Sequence, residues 1–484
     1  MTRKVITFGV IIFPLSLLAG CADVPRDAGF NDVKRTVAQR TGKRVHWDQG
    51  TGADQALDAN IRSMLHKELT AAEAVQIALL NNQNLQATYE ELGVAQAELV
   101  EAGLLRNPTL GAEVRFPRHA RLPVEFDVSQ SFLDLLVLPL RKRAAGAAFE
   151  AAKLRVTSEV LNKAAQVRAA FYRAQGSVQL VEMRRGIVSA TDASFDAARR
   201  LHEAGNITDL AFANERALHE QAKVDLAKAQ RESMDAREEL NSLMGVWGSD
   251  TAWTVAPRLP DLPAEEITAT RLESLAVSQR TDLGAARQEV EVAAQSLGLN
   301  QYTALFSDLE VGGHFEQDAD GTTTVGPSVR VPLPIFNQGQ AAVAAAQARL
   351  RQSQHRHAAL AVEIRAQVRR ARNHMLAARS LAEYYARVIV PLRHQIVEQT
   401  QLEYNAMLAG IFQLLQAKQG EIDAGREYVE ALQNYWVART ELERAVGGRL
   451  AGSGAATQPA TPSETGQPPA TKPAQQEHQH HHGD

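Results

Sequence analysis

The run Val124-Glu125-Phe126-Asp127-Val128-Ser129-Gln130-Ser131-Phe132 decides the fold. Val124, Phe126, Val128 and Phe132 alternate with Glu125, Asp127, Ser129 and Ser131, so a strand here has one apolar and one charged face. Three other stretches read the same way. Leu110, Ala112, Val114 and Phe116 alternate with Gly111, Glu113 and Arg115; Leu309, Val311, Gly313 and Phe315 with Glu310, Gly312, His314 and Glu316; and Val325, Val329, Val331 and Leu333 with Gly326, Ser328 and Arg330. A half-buried sheet in water gives the same pattern. The carboxylates on the charged face, and lengths near the ~9–11 residues that cross a bilayer obliquely, favour a transmembrane β-barrel with its apolar side toward lipid. Four strands cannot close, since the smallest barrels use about eight, and in lipid an open edge would leave N–H and C=O groups unpaired. The chain must therefore borrow strands from copies of itself. A dimer would have about eight and a filled interior; a trimer would have about twelve and room for a channel. The charged face is mainly acidic, with Glu113, Glu125, Asp127, Glu310 and Glu316 against Arg115 and Arg330, which would favour cations over anions.

Outward from the strands the chain is helical and written twice. Asp235–Gly245 matches Val437–Gly447 without a gap, and Asn84-Leu85-Gln86-Ala87 has its counterpart in Asp282-Leu283-Gly284-Ala285. Each half reads helix, strand, strand, very long helix, turn, long helix. The two very long helices are expected over about Arg143–Glu203 and Gln340–Met407, each on the order of 90–100 Å. Helices of that length bury their stripes against one another, and Leu415, Ile422, Val429 and Trp436 recur at heptad spacing. Turns fall at Ala204–Thr208 and Met407–Gly410, where Gly205 and Gly410 mark the reversal. The expected segments are 1–20, a signal peptide; 21–68, a largely extended lead; 69–247, the first repeat; 248–268, a linker; 269–448, the second repeat; and 449–484, a disordered Pro-, Gln- and His-rich tail. Composition agrees with long packed helices, because aromatics are 5% of 484 residues.

The termini carry their own signals. Arg3 and Lys4 precede the apolar run Val5–Leu18, which ends in Leu18-Ala19-Gly20-Cys21 and is too short for a membrane span. Cys21 is the single cysteine of the chain, so no intrachain disulfide can form. Its setting resembles the bacterial lipobox, which implies acylation at Cys21 and, with Ala22 following, sorting to the outer membrane. At the other end His478, His480, His481 and His482 crowd into one short stretch, a candidate for capturing Cu(II), Ni(II) or Zn(II) or else an inconsequential tail.

The repeat, the lipobox and Val331-Pro332-Leu333-Pro334-Ile335-Phe336-Asn337-Gln338-Gly339-Gln340 together resemble the TolC-like outer-membrane efflux proteins over roughly residues 69–447. Tyr404–Lys418 is similar to a hairpin tip in that family's heavy-metal branch. The resemblance implies a mostly α fold with a small β part: a homotrimer with a twelve-stranded transmembrane barrel, four strands per protomer, continuing into a periplasmic α-helical barrel. It implies a passive outlet for a periplasmic adaptor, the membrane fusion protein, and an inner-membrane pump of the RND type. It also implies helical tips held shut by polar contacts, for which Thr208, Asp209 and Tyr404 are the candidates. Here Ala409, Gln413 and Ala417 stand near positions where some relatives place Arg and Asp.

No enzyme and no cofactor is expected, because neither a phosphate-cradling glycine loop nor a His-Glu-x-x-His pattern occurs. His355 and His357, two apart, point to different helix faces. The balance of 52 Lys+Arg against 56 Asp+Glu argues against a nucleic-acid partner. The rival readings are a type I protein-secretion outlet and a structural or adaptor coiled-coil lipoprotein of the periplasm.

Overall fold

Ser131 ends a strand and Phe132 begins a helix with no loop between them. That junction ties the sheet rigidly to the helical body. The computed structural model describes residues 24–50, 52–116, 122–264, 271–304 and 309–450. In chain order the first half contains α1 (Phe30–Thr41), α2 (Gly52–Leu65), β1 (Glu68–Leu69), α3 (Ala71–Asn81), α4 (Gln83–Ala102), β2 (Thr109–Val114), β3 (Val124–Ser131), α5 (Phe132–Glu203) and α6 (Asp209–Met244). A 3-10 turn (Gly248–Thr251) and β4 (Thr254–Val255) follow. The second half contains α7 (Leu272–Gln279), α8 (Thr281–Thr303), β5 (Glu310–Gln317), β6 (Thr323–Arg330), α9 (Gln340–Tyr384), a π turn (Tyr385–Ile389), α10 (Val390–Asn405) and α11 (Ile411–Val446). The chain is mostly helical with a small sheet part.

Local chemistry sets the boundaries. Thr70 and Glu73 form a capping box that starts α3, each side chain satisfying a backbone N–H of the other residue. Asn82 ends α3 and caps α4, accepting from Leu85 N at 3.1 Å, while its amide donates to Leu243 O at 2.9 Å. It thereby pins the α3–α4 corner to the end of α6. Gly245 closes α6 at φ +71°, and a Cβ there would lie 2.9 Å from Asn81 O, so only glycine fits both the turn and the approach.

The core lies at the waist of the long helices. Val156, Val160, Val167 and Phe171 of α5 bury against α3, α4 and α6, and Ile364, Val429, Tyr435 and Trp436 form a second cluster with α7 and α9. Tyr172 stacks on Trp436 with ring centroids 5.2 Å apart and joins the two. Of the heptad positions on α11, Val429 and Trp436 are buried, and Leu415 and Ile422 are half-buried.

Three expectations are corrected. The lead segment is not largely extended: it contains α1 and α2. Phe30, Val33 and Val37 lie on one face of α1, and Phe30 meets Tyr89 at 4.9 Å and Trp47 at 5.6 Å. Asp32 bonds Lys153 of α5 at 2.8 Å, and that hydrogen bond holds its carboxyl below the usual range. The apolar spacing of Phe30, Val33 and Val37 with a polar opposite face is the helical signal of α1. The first very long helix starts at Phe132 rather than near Arg143 and carries Pro139 inside it. The second is interrupted. Pro391 has no N–H and its ring crowds the preceding turn, and the backbone widens into a π turn just before it.

Candidate functional site: a two-faced sheet and two hairpin tips

The four-stranded sheet runs β2-β3-β5-β6, antiparallel throughout, so β2 and β6 each pair on one side only within the protomer. Pairing partners share a face, and the register sorts the side chains cleanly. Glu113, Glu125, Glu316 and Thr324 form one row, and Gly111, Asp127, His314 and Gly326 the next. Ala112, Phe126, Phe315 and Val325 form a row on the opposite face, where the Phe126 and Phe315 rings lie 6.2 Å apart. Leu110, Val128, Val311, Val325 and Val329 on that face are exposed. β6 ends at Arg330, so Val331 and Leu333, read as its continuation, belong to the connection into α9.

The polar face is a charge network. Arg115 reaches Glu113 at 2.8 Å and Glu125 at 2.9 Å, and Arg330 reaches Glu310 at 2.7 Å. His314 sits between Glu125 and Glu316. Gly111 makes room for Asp127, whose carboxylate occupies the place a Cβ would take, 2.0 Å away. The face therefore carries more carboxylates than cations.

At the far end of the helices, Thr208 caps α6 by accepting from Ala211 N at 3.2 Å, and the Asp209 carboxylate accepts from His202 Nε2 at 2.7 Å. Tyr404 lies on α10, where its carbonyl accepts from Met407 N at 2.9 Å in a turn that puts Met407 at φ +62°. Thr208 and Asp209 thus meet at one tip and Tyr404 sits at the other. Among the described residues no hydrogen bond or ion pair joins the two. Sequence reasoning missed His202. Its ring stacks on Phe212 at 4.7 Å, Phe212 on Phe195 at 5.6 Å and Phe195 on His219 at 5.6 Å, a column that knits α5 to α6. The signal was available: Phe195 and His202, like Phe212 and His219, are one heptad apart.

Cys21 and the four tail histidines, His478, His480, His481 and His482, lie outside the described residues. Among the described residues no group of three or more His, Cys, Asp and Glu could hold a metal ion, and no helix is long and apolar enough to cross a membrane. His355 is exposed and His357 half-buried on α9.

Residues 74–246 and 272–448 match the family model for the outer membrane efflux protein. The chain belongs to that family. It is a channel of the outer membrane and not an enzyme. Among curated relatives, the cobalt-zinc-cadmium resistance protein CzcC of Cupriavidus metallidurans is 22% identical over 393 residues, covering 78% of this chain and 90% of the relative. The Campylobacter jejuni CmeC outer membrane channel superposes with a TM-score of 0.68 at 15% identity, over 78% of this chain and 85% of that one. VceC of Vibrio cholerae gives 0.63 at 16%, over 78% and 96%. At those identities the structural likeness concerns the fold.

Proposed function

We propose that three copies of this chain close a twelve-stranded barrel in the outer membrane, and that the barrel continues into a helical duct across the periplasm. The observation that carries this is the sheet itself. It has two open edges, an exposed apolar face and a charged face, and it runs straight into α5. In lipid such edges must be paired, and identical neighbours can pair them. The like order of elements in the two halves supports an internal two-fold repeat. The duct serves a periplasmic adaptor and an inner-membrane pump of the RND type. Its cargo is divalent metal cations of the cobalt, zinc and cadmium class, a reading supported by the name of the curated relative and by the acidic polar face. Thr208, Asp209 and Tyr404 belong to the closing contacts of the tips, Cys21 carries the lipid anchor, and His478, His480, His481 and His482 capture metal at the tail.

The test has two arms. Purified protein in mild detergent should run as a trimer and form cation-selective pores in planar bilayers. A deletion strain challenged in parallel with cobalt, zinc, cadmium, copper and common antibiotics should lose resistance to the first three. Sensitivity to antibiotics alone would overturn the metal assignment and leave the channel standing.

A further inference from the structure

Within the protomer, β3 pairs with β5, and the helix leaving β3 packs along the helix entering β5. Those helices are α5 and α8. Leu154 of α5 approaches α8 at Gly284, where an added Cβ would lie 3.3 Å from its Cδ1, and Arg155 Nε stands 3.5 Å from Glu289 Oε1. The edge strands repeat this arrangement with its second member absent. The helix leaving β6 is α9, and the helix entering β2 is α4. When β6 of one copy pairs with β2 of the next, these two helices must run side by side and antiparallel.

Their free faces match in shape and charge. Asn84, Ala87, Glu91, Val94, Glu98 and Glu101 form one exposed stripe of α4, at alternating three- and four-residue steps. Ala344, Ala348, Arg351, His355, Ala358 and Val362 form an exposed stripe of α9 with the same stepping. Val94 and Val362 are 59% and 63% exposed. α4 carries four glutamates and no basic residue, whereas α9 carries eight arginines and two glutamates. Glu91, Glu98 and Arg351 have no ion-pair partner within the protomer among the described residues. Glu90, the neighbour of Glu91, is already taken by Trp47 Nε1 at 2.8 Å.

We infer that α9 of one copy lies along α4 of the next as a charged seam, with Arg351 facing Glu91 and Val94 seated on Ala344 and Ala348. The occupant of the α4 face is thus a second copy of this chain. The register follows from the repeat: Asn84–Ala87 corresponds to Asp282–Ala285, so Glu91 stands where Glu289 stands in α8. Counted along the chain, Arg351 lies 21 residues beyond β6 and Arg155 24 residues beyond β3, the first nine residues after β6 being the non-helical connection into α9. The seam reuses the observed Arg155–Glu289 arrangement between protomers, and small residues on α9 let the helices approach around the one valine. This rests on the trimeric reading above and adds to it the residues that set partner and register.

The experiment uses the full-length protein in mild detergent. The pair Val94→Cys with Ala348→Cys should give covalently linked dimers and trimers under oxidation, and neither single variant should. Glu91→Arg and Arg351→Glu should each weaken association by about fivefold per interface, and the double reversal should restore it. Both positions are exposed in the protomer, so its folding should not suffer. A wild-type trimer that neither cross-links through this pair nor responds to either reversal would overturn the seam while the trimer stands. A wild-type protein that stays monomeric would remove the trimeric reading and the seam with it.

Discussion

Glu125 stands directly across from Glu316 in the β3–β5 ladder, and His314 spans the pair, with Nδ1 3.6 Å from Glu125 and Nε2 3.5 Å from Glu316. Like charges placed opposite one another weaken a sheet, and Glu113 extends the row on the other side of Glu125. Arg115 offsets only part of this repulsion. In the proposed barrel this row would line the lumen and give it a field that attracts cations.

Glu125→Gln combined with Glu316→Gln should therefore lower the cation-to-anion permeability ratio, by roughly twofold or more. Reversal potentials across a salt gradient in planar bilayers give the ratio directly. An unchanged potential would show that the row has no part in selectivity.

The Asn82 side chain, 2% exposed, bonds three backbone groups at once: Leu85 N, Leu243 O and Ser242 O. Asn82→Ala removes the cap of α4 and strands the carbonyl of Leu243, so the expected loss is about 2–3 kcal/mol. Urea unfolding followed by circular dichroism should show the shift. A midpoint within error of wild type would mean that water replaces the amide at no cost.

The second hairpin should loosen as pH rises. His394 bonds Glu421 of α11 at 2.7 Å and lies 3.3 Å from Glu398 of α10. The hydrogen bond to Glu421 and the Glu398 charge raise its pKa above 6.5, against the opposing charge of Lys418. A raised histidine contributes fully below its unfolded value, and the contribution fades as pH climbs through the folded one. Burial pushes Glu421 up, but its bonds from Lys418 and His394 outweigh that and hold it low, so its share is lost only as pH falls through the acid range. Hydrogen exchange of α10 and α11, corrected for intrinsic rates, should be slowest between these limits and faster at alkaline pH. His394→Gln should flatten the alkaline side, and a variant that keeps the wild-type profile would assign the effect elsewhere.

Asp209 is almost fully exposed at the first tip and is held by His202. If the proposed closure at the tips holds, replacing Asp209 and Tyr404 together with Ala should raise single-channel conductance, because two polar groups leave the tips. The helix start of α6 should lose only about 0.5 kcal/mol with the acid gone. Conductance identical to wild type would take both residues out of the closure.

Cys21→Ser should abolish incorporation of a palmitate analogue, and membrane fractionation should show less stable association, since acyl chains contribute about 0.8 kcal/mol per buried CH₂. Persistent labelling would place the lipid on another residue.

Much of this was legible in the chain. Strand alternation depends on neighbours two apart, so Val124–Ser131 announced both faces of the sheet before any pairing was known. The turns were legible because Gly205 and Gly410 stand where the helical pattern itself stops, whereas Gly146, Gly176 and Gly186 lie inside α5 without breaking it. α1 was missed because Phe30, Val33 and Val37 count as a helical face only once Tyr89 and Trp47 are there to cover them. His202 was missed because its partners come from both arms of a hairpin, Asp209 and Phe212 from one and the Phe195 column from the other.

By itself the sequence determined which residues could be strand, helix and turn, and that four strands could not close, because these are properties of local periodicity and of hydrogen-bond groups counted along one chain. Only the tertiary structure decided which strands are edges, which helices follow them outward, and hence which glutamates and arginines are left facing nothing. Register and adjacency depend on how distant segments pack together, and no short window of sequence contains that information.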